Sequence, residues 1–233
     1  SGGHSGDDIN KKRGNANKLL IRFLLEQLVK ADLRLCDIQA GGLHNAIPRE
    51  AHAVVAVPAN RLEALASDLQ EYGQRIKDEF SVTEPDATFV AEEVAMPANA
   101  LTQTQTERIV KSLLVVHNGI FAMSQDIDDL VETSSNLANI KREGNQIVVN
   151  TSQRSSVASN LTYMAEVIRA GFELGGAKCV TNEGYPGWKV NPKSEIVKVS
   201  VDSYKRLFNK EPKVRAIHAG LECGLFSEKY PNL

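Results

Sequence analysis

The chain has 233 residues, 42% of them hydrophobic and 24% charged, and a net charge of −2. That length allows one large domain or two modest ones, and the mixture is that of a soluble globular protein. With no Lys/Arg block, nucleic acid is a poor partner; with no window of about 18 apolar residues, nothing spans a membrane.

Gly2-Gly3-His4-Ser5-Gly6 reads as a loop, after which Asp7, Asp8 or Asn10 caps a helix from about Lys11 to Lys30. Leu19, Leu20, Phe23, Leu24 and Leu28 give that helix one broad apolar face. Two strands follow, Leu33 to Gln39 and Ala51 to Val57, separated by Gly41-Gly42-Leu43-His44-Asn45-Ala46-Ile47-Pro48. The glycines supply turn backbone, and Pro48 belongs at a strand entry because it cannot donate to a ladder. A second helix is expected from about Arg61 to Phe80 with Asn60 as its cap, then a strand from Ala87 to Ala95. Met96 to Thr104 is a connector, and Glu107 to Val116 a short helix ending near Asn118-Gly119. The crowded Asp126, Asp128 and Asp129 lack calcium-loop spacing and read as a solvated turn.

From about Leu130 the pattern starts again. Leu137 to Lys141 and Gln146 to Thr151 flank the turn Arg142-Glu143-Gly144-Asn145. A helix from about Val157 to Leu174 stops at Gly175-Gly176. A strand at 177–181, a turn at Gly184-Tyr185-Pro186-Gly187-Trp188, a helix from Ser194 to about Asn209 and a strand from Lys213 to His218 complete the chain. The halves repeat an architecture with slight identity between them. The fold class is therefore α+β, in two units that each set helices on one face of an antiparallel sheet.

Three well-separated cysteines, Cys36, Cys179 and Cys223, form no Cys-x-x-Cys pair and suit free thiols in a reducing, cytoplasmic setting. The chain shows no signal peptide and no initiator methionine, and it opens inside a glycine motif; a fragment of a longer protein is expected.

Four features are candidates for chemistry. His4 stands among glycines that let backbone approach a ligand, although a plain terminus explains it equally well. His44 and Asn45 sit on a loop at a strand mouth, where binding groups concentrate, although a decorated turn is the plainer reading. Arg154 closes a strand, and its guanidinium suits a carboxylate, against the common case of a surface arginine. His218 and Glu222 are four apart, but no His-Glu-x-x-His motif and no complete metal shell appear. On its own residues the chain cannot be argued to be a working catalyst.

Taken together, Gly3-His4-Ser5-Gly6 and Gly41 through Ala51 resemble the lid, or dimerisation, domain of the di-zinc aminopeptidase, carboxypeptidase and aminoacylase family. Ser134-Ser135-Asn136-Leu137-Ala138, Ser152-Gln153-Arg154-Ser155, Tyr185-Pro186-Gly187-Trp188 and Ile217-His218-Ala219-Gly220-Leu221-Glu222-Cys223-Gly224 resemble its bacterial cytosolic aminoacyl-histidine (Xaa-His, carnosine) dipeptidases. The resemblance implies a fragment of a two-part enzyme, with a catalytic domain holding two zinc ions and a Glu base, and a lid inserted into it. None of the family's metal ligands has a matching position here, so no metal site is expected in this chain and it is expected to be inactive alone.

By the same resemblance, residues 1–96 are a first lid subunit lacking its first strand and residues 97–129 a connector with a short helix. Residues 130–212 are a second subunit, and 213–233 start the returning catalytic segment. The two subunits are expected to be ferredoxin-like and to form a pseudo-dimeric lid. His4 would stabilise the oxyanion, and Asn45, Arg154 and Gly220 would bind the dipeptide substrate. Many relatives place an Arg after the Asn-x-Ile-Pro strand; Val57-Pro58 stands there, and Arg154 takes that role. Expected partners are the substrate, the catalytic domain and a second copy in a homodimer. The alternative is a non-catalytic α+β module that dimerises or binds a small ligand.

Overall fold

A computed structural model describes residues 1–182, 184, 191, 194–214, 216, 218 and 222–230. Seven strands run in chain order: β1 (Gly3–His4), β2 (Arg34–Gly41), β3 (Ala46–Ile47), β4 (Ala51–Ala56), β5 (Gly119–Met123), β6 (Val131–Glu143) and β7 (Gln146–Ser155). Among the described residues six α-helices accompany them: α1 (Ala16–Lys30), α2 (Leu62–Glu79), α3 (Gln103–Val115), α4 (Ala158–Leu174), α5 (Glu195–Phe208) and α6 (Glu222–Lys229).

The main sheet is antiparallel and has β6 at its centre. One edge of β6 pairs with β7 from the Glu143–Gln146 turn to Thr133–Ser155. Its other edge is shared end to end, with β2 pairing at Asn139–Lys141 and β5 at Val131–Ser135. Strand β4 pairs with the far side of β2. The two halves, expected as two units of one lid, are joined in one sheet through a seam three residues long at Gln39–Gly41 and Asn139–Lys141.

Helices α1, α3 and α4 bury their apolar stripes in a single core. Ile21 and Leu24 of α1, Leu35 and Ile38 of β2, Val110 and Leu113 of α3, Leu137 and Ile140 of β6, and Met164 and Ile168 of α4 all meet there. Each is almost fully withdrawn from water, and burial of such a side chain stabilises by about 1.5–3 kcal/mol. Helix α2 differs: Tyr72 and Ile76 pack with Phe23 of α1 in a second, smaller cluster. Tyr72 donates its hydroxyl to Leu19 O at 2.7 Å and meets Phe89 edge-on with centroids 5.5 Å apart.

Polar groups tie the seam reciprocally. Thr106 of α3 accepts from Leu35 N of β2 at 3.0 Å, and Asn17 of α1 donates to Leu137 O of β6 at 3.1 Å. Lys18 of α1 donates to Leu113 O at 2.9 Å, Leu114 O at 2.8 Å and Val116 O, so its ammonium caps the negative end of α3. Burial pushes that ammonium down to about 8. Gly41 at the seam has φ +69°, and a Cβ there would stand 2.0 Å from Ala138 O, so only glycine fits.

Several expectations need correction. Helix α1 starts at Ala16, not Lys11, because Asn15 is the cap and accepts from Lys18 N at 3.2 Å. Asn60 lies in a 3-10 turn ahead of α2 and caps nothing with its side chain. Residues 87–95 form no strand: Phe89 lodges against Tyr72 and Gly73 of α2 instead. Residues 177–181 form none either, as the chain turns back on α4 with Ala177 N bonded to Phe172 O. The described residues of 213–218 are not in a strand, and α6 follows unforeseen. Gly119, read as a helix end, turns at φ +107° into β5. Residues 185–188 of the tryptophan turn, and 219–221 with Gly220, lie outside the described residues.

Candidate functional site

The glycine-rich opening folds back on the Gly41–Pro48 excursion as a small two-stranded sheet. Gly3 pairs with Ile47 and His4 with Ala46, and Ser5 N donates to Asn45 O at 2.8 Å. Two of the sequence's candidates, His4 and Asn45, are thereby set side by side. Asn45 is half-buried, and its side-chain amide bonds to no described residue.

Strand β6 holds this excursion in place with polar side chains that a simple core strand would lack. Asn136 donates to Ala46 O at 2.7 Å, and Asn139 donates to Gly42 O at 3.0 Å. Asn139 also accepts from Asn150 at 2.8 Å, and Leu137 N donates to Asn118 Oδ1 at 2.9 Å. Buried polar atoms are tolerable when paired, and these pairs fix the loop backbone rather than add hydrophobic stability. Asn136 and Asn139 are therefore fasteners for the loop that bears Asn45.

Arg154 of β7 lies across from Ser134 and faces the same space. A Cβ on Gly6 would stand 3.0 Å from His4 Cε1 and 3.7 Å from Arg154 Cδ, which puts both side chains around one glycine. The guanidinium makes no hydrogen bond or ion pair with a described residue, and its Nε is buried without a partner. Desolvation pulls its pKa down, opposed by the nearby Asp7 carboxylate. A half-buried cation with an unsatisfied Nε is costly unless something anionic arrives to pair with it.

His218 is the member that sequence reasoning passed over. Considered only as a zinc ligand and set aside, it is 3% exposed and bonded through Nε2 to Ser134 Oγ at 2.8 Å. Burial, helped by the positive charge of Arg154, lowers its pKa to about 4, so it is neutral at physiological pH. His4 and Asp7 also act on it electrostatically. The one available signal was its place in the Ile217-His218-Ala219-Gly220 run. Thus His4, Asn45 and Arg154 come together with Asp7, Ser134 and His218, while Gly220 lies outside the described residues. Chemically, an imidazole and a guanidinium flank Gly6, and the Asn45 loop is bonded through its backbone to the residue after His4. Among the described residues no three His, Cys, Asp or Glu side chains gather to hold a metal ion.

Comparison with known proteins bears on this geometry. Residues 1–84 match the family model described as peptidase dimerisation domain. The whole chain is 37% identical over 232 residues to the cytosol non-specific dipeptidase of Escherichia coli (strain K12), and covers 48% of it. It also superposes along its full length, with a TM-score of 0.92 and 40% identity, on the crystal structure of aminoacylhistidine dipeptidase from Vibrio alginolyticus, covering 47% of that chain. It spans about half the length of each relative. The first third of the chain is thus similar to a peptidase dimerisation domain, and its whole length is similar to about half of each of those two dipeptidases.

Proposed function

We propose that this chain is the lid and substrate-gripping part of a cytoplasmic, zinc-dependent dipeptidase that cleaves Xaa-His dipeptides. The observation that carries the reading is Arg154: half-buried, its Nε without a hydrogen-bond partner, and next to His4 at Gly6. A dipeptide carboxylate would supply the missing anion with paired, charge-assisted hydrogen bonds. Asn45 would hold the peptide next to it, and Gly220 would line the same pocket. His4 would donate to the oxygen that becomes anionic as the peptide bond is attacked. Closure over the substrate would exclude water and strengthen each of these contacts.

The names of the relatives support a dipeptide substrate. One is called an aminoacylhistidine dipeptidase and the other a non-specific dipeptidase. The described residues do not fit a zinc pair, having no donor cluster, so we place both ions and the general base in a catalytic domain outside this chain. The reciprocal seam favours two ferredoxin-like units, 1–96 and 130–212, joined as a pseudo-dimer by a connector at 97–129. The catalytic segment would resume near residue 213. A groove of about 560 Å3 between β4, α1, α2 and Thr88–Val90 is where we place the first strand missing from the first unit. A homodimer of the parent fits the name of the family model.

The placement of His4 and Arg154 around Gly6 weighs against a module that only dimerises, in which they would have no reason to meet. The decisive experiment is His4→Ala in the full-length parent. A fall in kcat of about 100- to 1,000-fold is expected for losing an oxyanion donor. A rise in KM with kcat unchanged would show that His4 only binds, and would overturn its role.

A further inference from the structure

The turn that carries His4 decides where its imidazole hydrogen sits. Gly6 N and Asp7 N both donate to His4 Nδ1, at 3.2 and 3.3 Å. An amide N–H can donate only to a ring nitrogen that presents a lone pair. In the neutral ring the hydrogen is therefore on Nε2, and no described residue accepts a hydrogen bond from Nε2.

The rest of the turn is held for this purpose. Asp8 accepts from His4 N at 2.9 Å through its side chain and returns its own N–H to His4 O at 2.9 Å. Lys11 at 2.5 Å and Arg13 at 3.2 Å grip the Asp8 carboxylate, and Arg13 also reaches Gly2 O at 2.5 Å. Gly6 is the tight point. A Cβ there would stand 3.0 Å from His4 Cε1 and 3.1 Å from Nδ1, tighter than most carbon contacts, so a side chain would shift the ring by a few tenths of an ångström and loosen its hold on the two amides.

We infer that the Gly6–Asp7 backbone is a tautomer lock on His4, and that Gly6 is a positioning residue for the reaction, acting through that ring. This rests on the reading of His4 as an oxyanion donor and adds its direction. With hydrogen on Nδ1, the ring would present a lone pair to the substrate and behave as a base. The lock leaves Nε2–H outward, a donor only.

The test begins with the unaltered chain. Labelled with 15N-histidine in buffer alkaline enough to keep imidazole neutral, it should show His4 Nε2 with a directly bonded hydrogen and Nδ1 without one; His4→Ala identifies the signals. A majority of the Nδ1–H form overturns the lock. Gly6→Ala should populate both tautomers. In the full-length parent it should lower kcat several-fold, short of the roughly hundredfold that a displacement of about 1 Å costs, with KM little changed. Added to His4→Ala it should cost nothing further, because both act through one ring. Retention of a single tautomer and of kcat in Gly6→Ala overturns the positioning role. The spectrum needs no turnover, so a His4→Ala parent with full kcat would sink the oxyanion reading and the positioning role together while the lock itself was still being read.

Discussion

Helices α2 and α4 follow their strand pairs at corresponding points of the two halves, yet they are held differently. Met164 and Ile168 of α4 enter the main core and lie against β6 and β7. The buried residues of α2 form their own cluster on α1, and a groove opens between that cluster and the edge strand β4. In one half helix and sheet share a single apolar core; in the other they communicate through α1. The difference shows that the same succession of strands and helix can close around a core or stop short of it, depending on whether the space beside the edge strand is filled.

The comparison breaks first at the seam. Gly41→Ala would drive a Cβ to 2.0 Å from the Ala138 carbonyl oxygen in left-handed backbone, and a loss of more than about 3 kcal/mol by denaturant titration is expected. Next, Met164→Ala should cost about 3 kcal/mol of global stability. Ile76→Ala removes a side chain just as buried, but from the satellite cluster. Its effect should appear in hydrogen exchange as faster opening of α2 alone, by about 2 kcal/mol, with α4 unmoved. Equal loss of protection in both helices would erase the distinction.

Third comes pH. His218 has a folded-state pKa near 4 against the usual 6.5, so the unfolded chain binds the extra proton. Its contribution is complete above pH 6.5 and is lost as pH falls through that value toward 4, by about 3 kcal/mol. A His218→Gln chain should lose this part of the acid sensitivity, read as a smaller shift in urea midpoint over that window. The smallest effect belongs to Gly144→Ala in the β6–β7 hairpin. Its φ is +59° but nothing lies within 4 Å of a Cβ there, so only the backbone term of about 1 kcal/mol remains.

The sequence announced what depends on local pattern. The apolar faces of α1, α2 and α4, the Gly144 hairpin and the Gly41–Pro48 excursion were all readable from spacing and turn residues. Residues 87–95 misled because strand propensity is a preference for a pleated partner, and Phe89 found an aromatic pocket instead. The seam was invisible because pairing between strands a hundred residues apart leaves no local mark. His4, Asn45 and Arg154 were legible through resemblance and as loop or strand-end polar groups. Ser134 with His218 was not, because a serine inside a strand carries no sign of which distant residue will meet it.

The three-residue join between β2 and β6 has one more consequence. Both sides of that contact belong to a single polypeptide, so dilution cannot part them and no second copy has to be found. Nor must a change on one side be repeated on the other.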